Sequence, residues 1–129
     1  YRSPGLGTTI WSPLATGLLT GKYNDGVPSD SRLNTPGMEW LRDRLTGDPA
    51  FGRRVAAVKE LAGIAGELGT SLPRLGVAWC LKNPHVSSVI LGASRPAQLQ
   101  ENFGALTLVD QLTPEVMKRI AAITRPVAD

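Results

Sequence analysis

Cysteine is almost missing from this 129-residue chain: Cys80 stands alone, so neither an intrachain disulfide nor a cysteine-pair metal site can form. Histidine is equally scarce, and His85, just ahead of a strand-like run, reads as a surface or capping residue. No apolar stretch approaches the ~20 residues that a membrane span requires. Neither sign of charge dominates, since 14 basic and 11 acidic residues leave a net charge of +3. The basic residues are scattered instead of striped, which argues against nucleic acid as a partner. Low-complexity tracts and internal repeats are also missing. What remains, 42% hydrophobic and 19% charged residues, is the composition of a soluble globular protein, and a cytoplasmic setting is expected.

Two short segments carry most of the chemical information. In the first, Thr8-Thr9-Ile10-Trp11 reads as a strand that ends at Ser12-Pro13, where proline stops regular pairing. Trp11 at the strand end can offer a flat apolar face to a planar ring. Lys22 and Arg32 follow in a loop rich in Gly, Pro, Asn, Asp and Ser, which could fold over a ligand and supply cations to its phosphates. In the second segment, Val86 to Leu91 is a β-branched run, and Pro96 to Gly104 reads as a helix with Leu99 and Phe103 on one face. Between them Gly92 permits close backbone approach, Ser94 can cap the helix, and Pro96 suits its first turn. The amides of that turn would face an anion, with Arg95 and Gln98 beside them. From spacing alone, an ordinary strand–turn–helix corner uses the same residue types. A strand-end tryptophan is more often packing, and loop cations are usually solvated.

The helices between and after these segments follow local rules. From Arg53 to Leu68, Val55, Val58, Leu61, Ala65 and Leu68 recur at intervals of three and four, while Lys59 and Glu60 fall off the stripe. Gly69 suits the C-terminal end of this helix, and Ser71 can cap the next, which runs through Trp79 and Leu81 and stops before Pro84. Thr113-Pro114-Glu115 then supplies a cap, a first-turn proline and an acidic residue favourable to the helix dipole. Val116, Ile120 and Ile123 make that helix's buried face.

The runs Trp11-Ser12-Pro13-Leu14 with Gly21-Lys22-Tyr23, Leu91-Gly92-Ala93-Ser94, and Gln98 followed by Glu101-Asn102 resemble the C-terminal part of an aldo-keto reductase. They are most similar to the voltage-gated potassium channel beta-subunit branch of that superfamily. Leu72 to Leu81 looks like the family's helix before its last strand, so the resemblance covers nearly the whole chain. It implies an α/β fold: the C-terminal portion of a (β/α)8 TIM barrel, about the last two strands with their helices, with residues 1–129 in one domain. It also implies NADP(H). Trp11, Ser12, Pro13, Leu14, Lys22 and Arg32 would line the nicotinamide and pyrophosphate. Gly92, Ser94, Gln98, Glu101 and Asn102 would hold the 2′-phosphate and adenine. Arg95 stands where the beta subunits often carry an uncharged polar residue, and would bind the 2′-phosphate directly. Thr16 replaces a cysteine or other small residue, and Ser29-Asp30-Ser31 lacks the aromatic residue of the animal subunits.

The family's catalytic tyrosine, lysine, aspartate and histidine belong to earlier strands, so no catalytic residue and no metal ligand is assigned to this chain. Tyr23 belongs to the cofactor motif and is rejected as the proton donor. A complete barrel takes about 250 residues in eight strand–helix units. The 129 residues beginning at Tyr1 are therefore expected to be a fragment, inactive alone. With two strands, its edges would be unpaired and Ile10, Val89 and Leu91 would face an unfilled barrel interior. Two functions fit the resemblance. One is NADPH-dependent reduction of a small aldehyde or ketone. The other is an accessory beta subunit, as a homotetramer on a potassium channel alpha subunit, with NADP(H) as a redox sensor and no insertion into the membrane itself.

Overall fold

Side-chain alternation in the two strand-like segments is resolved by a computed structural model, which describes residues 5–128. Thr8–Trp11 forms β1 and Val86–Ile90 forms β2, and the two pair in parallel, with Ile10 beside Val89 and Trp11 beside Ile90. The register shifts once, between Thr8 and Thr9. At the strand entrance, the backbone N–H and side-chain hydroxyl of Thr8 both donate to the His85 carbonyl, at 2.7 and 2.9 Å. Parallel strands need a long connection. Here it holds α1 (Glu39–Thr46), α2 (Phe51–Glu67) and α3 (Leu72–Leu81); α4 (Pro96–Phe103) and α5 (Pro114–Thr124) follow β2.

The caps explain where the helices start and stop. The hydroxyls of Ser71 and Thr113 accept from the amides of Arg74 and Val116, closing the first turns of α3 and α5. α2 ends at Glu67 and is followed by Gly69 at φ +62°, the left-handed residue that commonly terminates a helix. α2 starts two residues before the expected Arg53, because Asp48 accepts from the Ala50 amide and pairs with Arg54 at 2.6 Å.

Two hydrophobic clusters hold these elements. The larger joins Leu61, Ile64 and Ala65 of α2, Leu75, Val77 and Ala78 of α3, Ile120 of α5, and Ala105, Leu108 and Leu112 of the turns before α5. The smaller gathers Leu18, Tyr23, Leu33 and Val58, with Leu41 and Leu45 of α1 against it. Leu14, Leu19, Val89 and Leu91 pack on the larger cluster.

This corrects the expected strand orientation. Val89 and Leu91, with Ile10 in register beside Val89, face the helical layer; the opposite face carries Thr9, Trp11, Ser88 and Ile90, with Ile90 53% exposed. Apolar residues on both faces of a parallel strand make the inward side unreadable from pattern alone. Helix α4 brings a second correction. Its expected apolar face, Leu99 and Phe103, lies exposed, and its buried residue is Asn102.

Candidate functional site

Parallel pairing sets both strand C-termini at one end of the sheet, so Ser12 and Gly92 begin neighbouring turns. The loop after β1 is tightly wound. Ser12, Ala15 and Thr16 have φ of 53°, 48° and 59°, a left-handed region that costs L-residues about 1–2 kcal/mol each. Hydrogen bonds from Ala15 N–H to the Ser12 carbonyl and from Gly17 N–H to the Leu14 carbonyl, both 2.9 Å, close the loop. Tyr23 anchors it from below. It is 2% exposed, and its hydroxyl donates to the Thr16 carbonyl at 3.1 Å while lying 3.5 Å from the Ser31 hydroxyl.

Above this anchor lie the candidate ligand groups of the first segment. Trp11 is 79% exposed, which leaves its ring face available. Pro13 and Leu14 are half-buried, and Leu14 docks on α3 over Gly76. Lys22 folds back over Gly17, where a Cβ would stand 2.5 Å from its Cε, and its ammonium lies 5.1 Å from the Tyr23 ring centre. Gly17, at φ +91°, is thus the seat of the lysine. Arg32 lies on a short turn whose buried Leu33 joins the same small core as Leu18 and Tyr23, and its exposed side chain forms no ion pair among the described residues.

The turn after β2 is built differently. The Gln98 carboxamide oxygen accepts from the Ser94 amide, the Ser94 hydroxyl and the Arg95 amide, at 2.8, 3.1 and 3.3 Å. The residue at the helix N-cap position is Arg95, in place of the expected Ser94. The reason is that Gln98, three residues into the helix, reaches back to the amides that a serine cap would leave open. Since the Gln98 amide also donates to the Arg95 carbonyl, three amides expected to face an anion are satisfied within the turn. Charge is left to the Arg95 side chain. It is exposed and forms no ion pair among the described residues. No protein atom lies within 4 Å of a Cβ built at Gly92, so packing inside the chain does not require glycine there.

Glu101 and Asn102 face inward. Asn102 is buried. The Glu101 carboxylate accepts from Arg74 Nη2 at 2.8 Å and from the Ser71 hydroxyl, and the Glu101 carbonyl accepts from Arg74 Nε at 3.1 Å. Sequence reading assigned no role to Arg74, which is 27 residues from Glu101; no local pattern reports such a pairing. Cys80 is buried, and burial pushes its thiol pKa up, keeping it protonated. The described residues hold no cluster suited to a metal ion, and none of their helices is long and apolar enough to cross a membrane.

Comparison with known proteins matches residues 1–125 to the model of the Aldo/keto reductase family. The chain is 45% identical over 119 residues to a Schizosaccharomyces pombe protein named "Putative voltage-gated potassium channel subunit beta", an alignment spanning 92% of this chain and 34% of that protein. It is 47% identical over 124 residues to an Arabidopsis thaliana protein named "Probable voltage-gated potassium channel subunit beta", spanning 95% of this chain and 37% of that one. The chain thus covers about a third of the length of these relatives.

Proposed function

The chain belongs to the aldo/keto reductase family, and on that premise we propose that it is the C-terminal part of a (β/α)8 barrel and supplies the nucleotide-phosphate cradle of an NADPH-dependent aldo-keto reductase. The carrying observation is the placement of two turns side by side at the strand C-termini, the end at which barrels of this architecture bind phosphate after their last strands. The donor set suits a dinucleotide phosphate. Arg95 offers an uncommitted guanidinium and Lys22 an exposed ammonium, while Trp11 offers an open ring face at the strand end.

In this reading Arg95, Ser94 and Gln98 hold the adenosine 2′-phosphate end. Gly92 lets backbone approach it, and Glu101 and Asn102 sit on the helix behind. Ser12, Pro13, Leu14, Lys22 and Arg32 line the pyrophosphate side, with Trp11 toward the nicotinamide. NADPH supplies the hydride for a small aldehyde or ketone. This chain supplies binding and orientation only. Tyr23 cannot serve as proton donor while its hydroxyl is buried and given to the Thr16 carbonyl, so the acid and its partners come from the rest of the barrel.

The names of the two relatives favour a second reading, in which the same cradle belongs to a cytoplasmic accessory subunit of a potassium channel. Both readings need the nucleotide. A fixed cation at a 2′-phosphate contributes roughly 1.5–3 kcal/mol, so the intact protein should bind NADPH about ten- to a hundredfold more tightly than NADH. Quenching of tryptophan fluorescence measures both, and equal affinities refute the cradle. Aldehyde-dependent NADPH consumption by the intact protein, and none by the isolated 129-residue chain, separates catalysis from a purely accessory role and places the chemistry in the remaining strands.

A further inference from the structure

With NADP(H) in the cradle, Glu101 meets the adenosine end of the nucleotide, and its chemistry limits what it can meet there. An ionised carboxylate only accepts hydrogen bonds. Like charge keeps it from the 2′-phosphate and from the ribose hydroxyl beside that phosphate, which leaves one donor, the exocyclic amino group of the adenine base. Such a contact needs the carboxylate in one orientation. In this chain it is held there by neighbours of its own. Arg74 Nη2 donates to one carboxylate oxygen at 2.8 Å, the Ser71 hydroxyl donates to the other, and Arg74 Nε donates to the Glu101 carbonyl at 3.1 Å. The Arg74 and Glu101 side chains are 38% and 36% exposed, so a base can reach the pair. Each carboxylate oxygen also keeps a second lone pair for a further donor.

The guanidinium is seated as well as paired. A Cβ at Gly104, just beyond α4, would overlap Arg74 Nε and Cζ, so glycine there leaves the room that the guanidinium fills. Apolar burial does little to help, since Leu99 and Phe103 of α4 lie exposed. A free glutamate side chain loses rotamer freedom when a ligand fixes it, and that loss weakens binding. A planar fork that grips the carboxylate and the backbone carbonyl of one residue removes most of it in advance, which a single ammonium cannot do. We infer that Arg74, seated on Gly104, is a positioning residue that presets the Glu101 carboxylate for the adenine amino group, and so sets how strictly the cradle selects its base. The inference rests on the NADP(H) reading above.

The test uses the intact protein and two probes, NADPH and its deamino analogue, in which a carbonyl oxygen replaces the amino group of the base; fluorescence quenching gives both dissociation constants. If NADPH itself does not bind, the nucleotide reading fails and the inference with it, whereas every other outcome bears on Arg74 alone. The unaltered protein should prefer NADPH about tenfold, and Glu101→Ala should abolish the preference. Arg74→Ala should weaken NADPH about three- to tenfold and leave the deamino analogue within about twofold. Added to Glu101→Ala, it should change neither affinity further, because nothing remains to be positioned. Gly104→Ala, which displaces the guanidinium without altering either charge, should reproduce the Arg74→Ala pattern and serves if that variant misfolds. Equal losses for both probes would reduce Arg74 to a structural support and overturn the inference. A full preference retained in Arg74→Ala or Gly104→Ala, or no preference in the unaltered protein, overturns it as well.

Discussion

The loop after β1 contains all the non-glycine residues at positive φ among the described residues, Ser12, Ala15 and Thr16, whereas the turn after β2 contains none. The first is held in a costly shape by burial: Leu18, Tyr23 and Leu33 form a small core beneath it, and the Tyr23 hydroxyl fastens its backbone. The second is exposed throughout and holds itself by hydrogen bonds within five residues, from Ser94 and Arg95 to Gln98. Two halves of one proposed cradle thus draw on different sources of order. Tertiary packing shapes one, and local hydrogen bonding plus the Arg74 clamp shapes the other. Changes in the first should act through stability, and changes in the second through ligand affinity.

The largest effect expected from this contrast is at Tyr23. Tyr23→Ala empties a buried aromatic site and releases the Thr16 carbonyl, so it should lower stability by about 3–5 kcal/mol, read as a fall in the urea midpoint of the intact protein. A midpoint that hardly moves would mean that the loop does not depend on its small core. Next comes Arg95→Ala, expected to weaken NADPH by about ten- to a hundredfold and NADH far less, with the urea midpoint unchanged; equal losses for both nucleotides would place Arg95 elsewhere. Gly92→Ala sharpens the comparison further. The space over Gly92 is open within the chain, so stability should change by less than about 0.5 kcal/mol, while a nucleotide lying against the backbone should bind several-fold more weakly. Unaltered affinity would remove Gly92 from the cradle.

The smallest effect leaves both turns alone. Arg119 donates to both carboxylate oxygens of Glu67, at 2.6 and 2.8 Å, linking α5 to the end of α2 and holding the Glu67 pKa below its ordinary value of 4.5. A carboxylate with a depressed folded-state pKa contributes stability that is fully present above the ordinary value and disappears as pH falls through the folded one. Glu67→Gln should therefore be slightly less stable than the wild type at pH 7 and decline less steeply below pH 4.5, so that the difference narrows as pH falls. A steeper decline in the variant would reverse the assigned sign.

Both strands, and the helices now labelled α2, α3 and α5, were legible because their signals are local. Ser71 and Thr113 cap, Gly69 terminates, and Val58, Leu61 and Ala65 recur on one face. Helix α1 was not read, because only Leu41 and Leu45, half-buried against the smaller cluster, mark its inner face, and two residues are too short a stripe to register. For α4 the opposite failure occurred: Leu99 and Phe103 have the spacing of a buried face and lie exposed. Of the candidate site, Trp11 to Leu14 and Gly92 to Gln98 could be picked out as two strand-end turns. The contacts Lys22 on Gly17, Tyr23 on Thr16 and Arg74 on Glu101 could not, since each is a meeting of side chain and backbone that depends on how the chain doubles back.

Sequence alone determined that this protein alternates strand and helix, that a turn with glycine and cationic neighbours follows each strand, that α3 and α5 begin at Ser71 and Thr113, and that α2 ends before Gly69. These are consequences of dihedral preference, capping and periodicity within a few residues. Only the tertiary structure decided that the two turns stand at one end of one sheet, that Val89 faces the helices while Ile90 stays open, and that a fork from α3 fixes the helix behind the second turn. Strand direction, sheet face and ion-pair partners are properties of segments tens of residues apart. They are settled by which apolar surfaces find each other, and no local pattern encodes that choice.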